Sequence, residues 1–166
     1  MGFDFRKNYF IKRFGKTAFD IVCHVAVASN FTPELFHIIR INFFPGEKYR
    51  DHEINALLSE FCREYYDSYY EIEENIKGEL LTILKKQYGV KRICEVASLI
   101  LLYGEKYPNW TKNNRLFTSQ KIQALALVDP QAALRWLEVS YCEAQSQWFR
   151  ITKDRVDELI KLVYQD

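Results

Sequence analysis

Residues 70–107, YEIEENIKGELLTILKKQYGVKRICEVASLILLYGEKY, decide the fold class. Ile76, Leu80, Ile83, Leu84 and Tyr88 recur at steps of four, three, one and four, which keeps them on one face of a helix. Gly89 follows the last of them and supplies the positive-φ position at which helices commonly stop. Ile93, Val96, Ala97, Ile100 and Leu101 then repeat a similar period over a wider arc. A helix apolar on most of its circumference belongs inside a domain. The stretch therefore predicts an antiparallel helical pair with Lys91–Tyr103 as its most buried part.

On the N-terminal side, Phe3, Phe5, Tyr9, Phe10 and Phe14 alternate with Arg6, Lys7, Lys12, Arg13 and Lys16, as an arm or short helix laid on the domain would. Residues 17–29 read as an apolar helix stopped by Asn30. Thr32-Pro33 opens another, a capping hydroxyl followed by a proline at the first helical position, and Pro45-Gly46 closes it. Asp51 is the expected cap of a third, with Ile54, Leu57, Leu58 and Phe61 on one face. Residues 62–70 continue that helix or connect it to the next. On the C-terminal side, 109–117 is an expected surface loop, Thr118 or Ser119 caps a short helix, Asp129-Pro130 starts another, and Thr152 caps the last. The sum is an all-α, single-domain bundle of about seven or eight helices around a buried central helix. A basic aromatic arm over 1–16 precedes the helical domain at 17–166.

Composition agrees with this class. With 16% aromatic residues the chain is far from the disordered regime, and 6 glycines and 4 prolines are too few for the turns of an all-β fold. At 166 residues it buries roughly 70% of its unfolded surface and needs no staple. The four cysteines, Cys23, Cys62, Cys94 and Cys142, form no CxxC pair and read as reduced core thiols. No signal peptide and no apolar run of about 18 residues is present, so a cytoplasmic chain without a membrane partner is expected. Net charge is +1, yet five bases face one acid over 1–16, ten acids face four bases over 47–79, and eight bases face two acids over 80–127. Such asymmetry marks an oriented surface or a set of solvated faces.

Reactive chemistry is sparse. His24, His37 and His52 lack ligand spacing, so no metal or cofactor is expected. Glu71, Glu73 and Glu74 are explained by the dipole of the helix they precede, and Cys94 fits ordinary packing. No catalytic residue is assigned. Two binding surfaces stand out instead. Tyr65, Tyr66, Tyr69, Tyr70 and Glu71, with Phe5, Tyr9 and Phe10 of the arm, are the protein-binding candidates, since aromatics are typical interface anchors. Lys7, Lys12, Arg13, Trp110, Lys112 and Arg115 would serve the alternative, neutralising phosphates and stacking on bases.

Phe31-Glu34-Leu35 with Asn42 and Pro45, Leu57-Leu58-Ser59 with Cys62-Arg63-Glu64, and Tyr70-Glu71-Ile72-Glu73 form a diffuse pattern. It continues through Ile76, Leu80-Leu81, Leu84-Lys85, Gln87-Tyr88-Gly89, Gln123-Ala124-Leu125-Ala126, Asp129-Pro130 and Ala132-Ala133. Over most of 20–145 it resembles a helical module of large multidomain bacterial proteins, notably cyanobacterial ones. That module stands beside caspase-like peptidases, signalling NTPases and repeat arrays. The resemblance implies a non-catalytic adaptor or regulatory subunit of a signalling or defence assembly, and carries over no catalytic residue. Another protein subunit is the expected partner; self-association and nucleic acid are the other two.

Overall fold

The computed structural model describes residues 2–66, 68–107, 114–140 and 146–165, with only the backbone at 65, 66 and 114. Its first two helices, α1 (Phe3–Phe14) and α2 (Lys16–Val25), meet at Gly15, whose φ of 89° and ψ of 164° lie in a region that only glycine occupies without strain. The arm is thus a helix packed on α2. Every residue from Ala18 to Val25 is buried, including Asp20 and His24. The polar groups are answered locally: Lys16 donates to the Asp20 carboxylate, and His24 Nδ1 donates to the Asp20 carbonyl at 2.7 Å. The helix buried all round is therefore α2. Lys91–Tyr103, which the sequence places in that role, buries one face at Ile93, Val96, Ala97, Ile100 and Tyr103 and leaves Leu102 62% exposed.

Helix α3 (Pro33–Phe43) begins as its residues dictate, with Thr32 Oγ1 accepting from the Leu35 amide at 3.2 Å. A 3-10 turn at Glu47–Tyr49 leads into α4 (Arg50–Leu57), so Asp51 lies in the first turn rather than at the cap. This helix stops at Leu57 because Ser59 competes for its backbone. The Ser59 hydroxyl donates to the Ala56 carbonyl at 2.6 Å and accepts from the Phe61 amide at 3.2 Å.

The described residues of 62–70 are neither helix nor plain connector, correcting the sequence reading. Strands β1 (Arg63–Tyr66) and β2 (Tyr69–Glu71) form an antiparallel hairpin, with Ser68 at φ 71°. Tyr70 also bridges Phe31, exchanging backbone hydrogen bonds of 2.9 and 2.8 Å, and their rings stack 6.2 Å apart. The strand preference of tyrosine wins here over the helical period.

Helix α5 (Glu74–Lys106) is broken at Gly89, where φ is 79° and ψ 168°. The break falls where the sequence puts it, but with an extended ψ rather than a left-handed helical one. Residues 1–87 and 88–166 form two compact units, so the two helices that the sequence joins into one antiparallel pair fall in different units. In the first unit Phe19, Ile21, Leu35, Phe36, Ile39, Leu80, Leu81 and Leu84 are fully buried. In the second, α6 (Asn114–Val128), α7 (Pro130–Val139) and α8 (Gln147–Tyr164) share a core of Ile122, Ala126, Ala133, Leu137, Phe149 and Val156. Asp129 caps α7, its carboxylate accepting from the Ala132 amide at 3.0 Å, as expected. The last helix is capped by Ser146, not Thr152. Thr152 and Ser119 both lie buried inside helices, and the Thr152 hydroxyl donates to Ser119 Oγ at 3.3 Å across α6 and α8. The expected 109–117 loop is helical from Asn114; its earlier part lies outside the described residues, as do Tyr141 and Cys142.

The described chain is all-α, with eight α-helices and one small hairpin, and none of these helices is long and apolar enough to cross a membrane. A Cβ on Gly15 or Gly89 would touch nothing within 4 Å, so only backbone strain opposes a side chain there. Gly15→Ala and Gly89→Ala should each cost about 1–3 kcal/mol in urea denaturation followed by circular dichroism, while Gly2→Ala, at an ordinary φ at the N-cap of α1, should shift the midpoint less than either.

Candidate protein-interaction surface

The face of α1 that meets the first unit's core is set by its phenylalanines. Phe10 is buried, its ring edge-on to Phe61 at 5.4 Å and 6.4 Å from Phe19, and Phe19 lies 5.9 Å from Phe61. Phe3 also reaches Phe61, at 6.3 Å. These contacts seat α1 against α2 and the turn that follows α4, and aromatic pairs in this geometry add about 0.5–1.5 kcal/mol each beyond their buried area. Phe10 was expected to anchor a partner; its burial makes it part of the core instead.

The opposite face stays in solvent. Phe5 and Tyr9, one turn apart, stack with ring planes 5° from parallel, and are 56% and 52% exposed. Ile54 and Leu58, also four residues apart, are 58% and 81% exposed. Between α1 and the turn after α4 runs a groove of about 370 Å³. Its apolar lining is Tyr9, Phe10, Phe14, Leu58 and Phe61, and its polar lining is Arg6, Arg13, Asn55, Ser59 and Glu60. The Arg6 Nε lies 3.9 Å from a Glu60 carboxylate oxygen, too far for a hydrogen bond, and has no hydrogen-bond partner among the described residues although the atom is buried. Arg13 Nη1 donates to the Tyr9 hydroxyl at 3.2 Å while its guanidinium sits 5.1 Å from the Phe14 ring centroid. Lys7 is paired with Asp4 at 2.8 Å, and Lys12 is exposed.

The remaining candidates are placed differently. Tyr69, Tyr70 and Glu71 share the short strand β2 and are half-buried, with Tyr70 on Phe31 and Glu71 paired to Arg63. Tyr65 and Tyr66 lie on β1, and their side chains are outside the description, as are Trp110 and Lys112. Arg115 is exposed on α6, and its carbonyl accepts from Trp148 Nε1 at 3.2 Å. Of the nucleic-acid set, then, Lys7, Lys12 and Arg13 share one helix of the first unit, and Arg115 belongs to the second. Sequence reasoning missed Ile54 and Leu58, assigning both to a buried helix face. Ser59 was the available signal, because a serine that bonds back to the chain ends a helix.

His37 and Cys94 are engaged in contacts within the fold. His37 Nδ1 lies 2.9 Å from a Glu53 oxygen that also accepts from Arg40 Nε at 2.6 Å, and Arg40 reaches on to the Gly46 carbonyl at 3.2 Å. The Cys94 thiol donates to the Leu127 carbonyl at 3.1 Å, an oxygen that also accepts from the Tyr164 hydroxyl at 2.6 Å. Among the described residues no three His, Cys, Asp or Glu side chains gather as a metal site. Burial, and then the Asp20 charge, pushes the Cys23 thiol far above its ordinary value; burial pushes Cys62 up to about 12. Comparison with known proteins finds no matching family model, no matching curated protein and no matching solved structure.

A thiol with a pKa near 12 holds almost no thiolate at pH 8. Native Cys62 should therefore react with iodoacetamide on the order of a thousandfold more slowly than a free cysteine, and Cys23 at least as slowly. Peptide mapping after a timed pulse measures this, and rapid labelling of either would contradict the environments described.

Proposed function

We propose that this chain is a non-catalytic protein-interaction module, an adaptor or regulatory subunit of a bacterial signalling or defence assembly, working in the cytoplasm without a cofactor. It docks a partner protein through the face formed by α1, the end of α4 and the groove between them. The observation that carries this reading is the exposure of large apolar side chains: Phe5 with Tyr9 on α1, and Ile54 on α4 with Leu58 just past its end. Tyr9 and Leu58 line one groove, so at least these two belong to a continuous surface. Scattered exposed apolar residues are ordinary, but several beside a groove of mixed apolar and polar lining mark an interaction site. The resemblance to the bacterial helical module supports the adaptor role.

Two-step affinity purification of the native, tagged chain tests the reading. Leu58→Glu and Tyr9→Ala should leave the circular dichroism melt within a few degrees of wild type, because both side chains are largely solvent-exposed. Each should lower recovery of the specific partner at least tenfold, as truncating an anchor worth about 2 kcal/mol does. Identical recoveries from wild type and both variants would rule out this face.

A further inference from the structure

The groove's charges say more than its shape. Seven residues separate Arg6 from Arg13 on α1, so their α-carbons stand about 10 Å apart on nearly the same side of the helix. Lys7 is answered by Asp4 at 2.8 Å, whereas the ion pair of Arg6 is long. Its closest carboxylate, on Glu60, stops at 3.9 Å and is itself mostly in solvent. Arg13 is held in place by the Tyr9 hydroxyl and the Phe14 ring, neither of which carries charge. Two guanidiniums against one loosely placed acid leave the groove positive, with a forked donor at each end suited to planar carboxylates.

We infer, building on the interaction reading above, that the partner segment held in this groove is acidic: it places carboxylates against Arg6 and Arg13 and an apolar side chain over Tyr9 and Leu58. The spacing accommodates two acids seven residues apart on a helix, or three apart on an extended segment. A phosphate backbone would also satisfy the guanidiniums, and Tyr9 could stack on one base, but Leu58, 81% exposed across the groove, gives a base no second ring to lie against and favours an apolar peptide side chain. Glu60 competes with the incoming acids for Arg6.

Fluorescence anisotropy on the full chain tests this with three fluorescein-labelled twelve-residue peptides that share leucine and phenylalanine positions and carry glutamate, glutamine or lysine between them, and with a labelled oligothymidylate. The glutamate peptide should bind at least tenfold more tightly than the glutamine peptide, and the lysine peptide least of all. Glu60→Gln should tighten the glutamate peptide severalfold, and Arg6→Gln with Arg13→Gln should erase the preference for glutamate. Equal binding of glutamate and glutamine peptides would overturn the acidic assignment, and sensitivity of both to Leu58→Glu would then leave the docking face standing. A preference that survives loss of both arginines, or tighter binding of the oligothymidylate than of any peptide, would also overturn it. So would the absence of binding by all three peptides, in which case the purification experiment alone judges the docking face.

Discussion

The ring of Phe19 is the contact through which the first unit's outer layer is fixed. It sits on the helix buried on all sides and touches Phe10 from α1 and Phe61 from the turn after α4. Because Phe10 and Phe61 also meet edge to face, the three rings close a triangle that sets the distance between α1 and that turn. Two of the three rings, Phe10 and Phe61, line the groove. Interiors packed at crystal density do not deform smoothly, so the side chains lining the groove inherit the rigidity of the rings beneath. A surface meant to recognise a partner without reshaping itself is best built on such a floor.

Much of the architecture was legible because short-range chemistry determines it. Thr32-Pro33 and Asp129-Pro130 each join an acceptor side chain to a residue that needs no amide partner, and both begin helices. Gly89 breaks a long helix where the apolar period runs out. Three kinds of error have one cause, the dominance of tertiary contacts over local pattern. Thr152 and Ser119 are plausible caps by type, yet they are used as a buried polar link between two helices. Residues 91–103 are apolar enough to be central, but the chain fills that role with α2, where two polar side chains are satisfied by their own helix. The hairpin was hidden because its strands are too short to show alternation; only the pairing with Phe31, remote in sequence, selects it.

For the proposed interaction surface, the aromatic and basic residues of α1 were visible as a group, and Phe5, Tyr9 and Arg13 are exposed. What no helical wheel could give was the other wall. A helix continued past Leu57 would carry Leu58 and Phe61 inward together. Ser59 ends it, and the two part company: Phe61 closes the core and Leu58 stands in water. Phe10 and Phe5 were likewise indistinguishable by composition, and only the helical phase of α1 sends one to each side.

The bridge between Phe31 and Tyr70 has a topological effect larger than its two hydrogen bonds. It fastens the chain just before α3 to the chain just before α5, so everything between them is a cinched loop. Closing such a loop costs entropy once, and while it stays closed the enclosed helices cannot wander far from the core. A two-stranded ribbon by itself tends to slide by a residue; tying its second strand to an outside residue removes that freedom and fixes the register. The clasp should therefore be among the last places in the first unit to exchange its amide hydrogens, and its opening would release α3 and α4 as one piece.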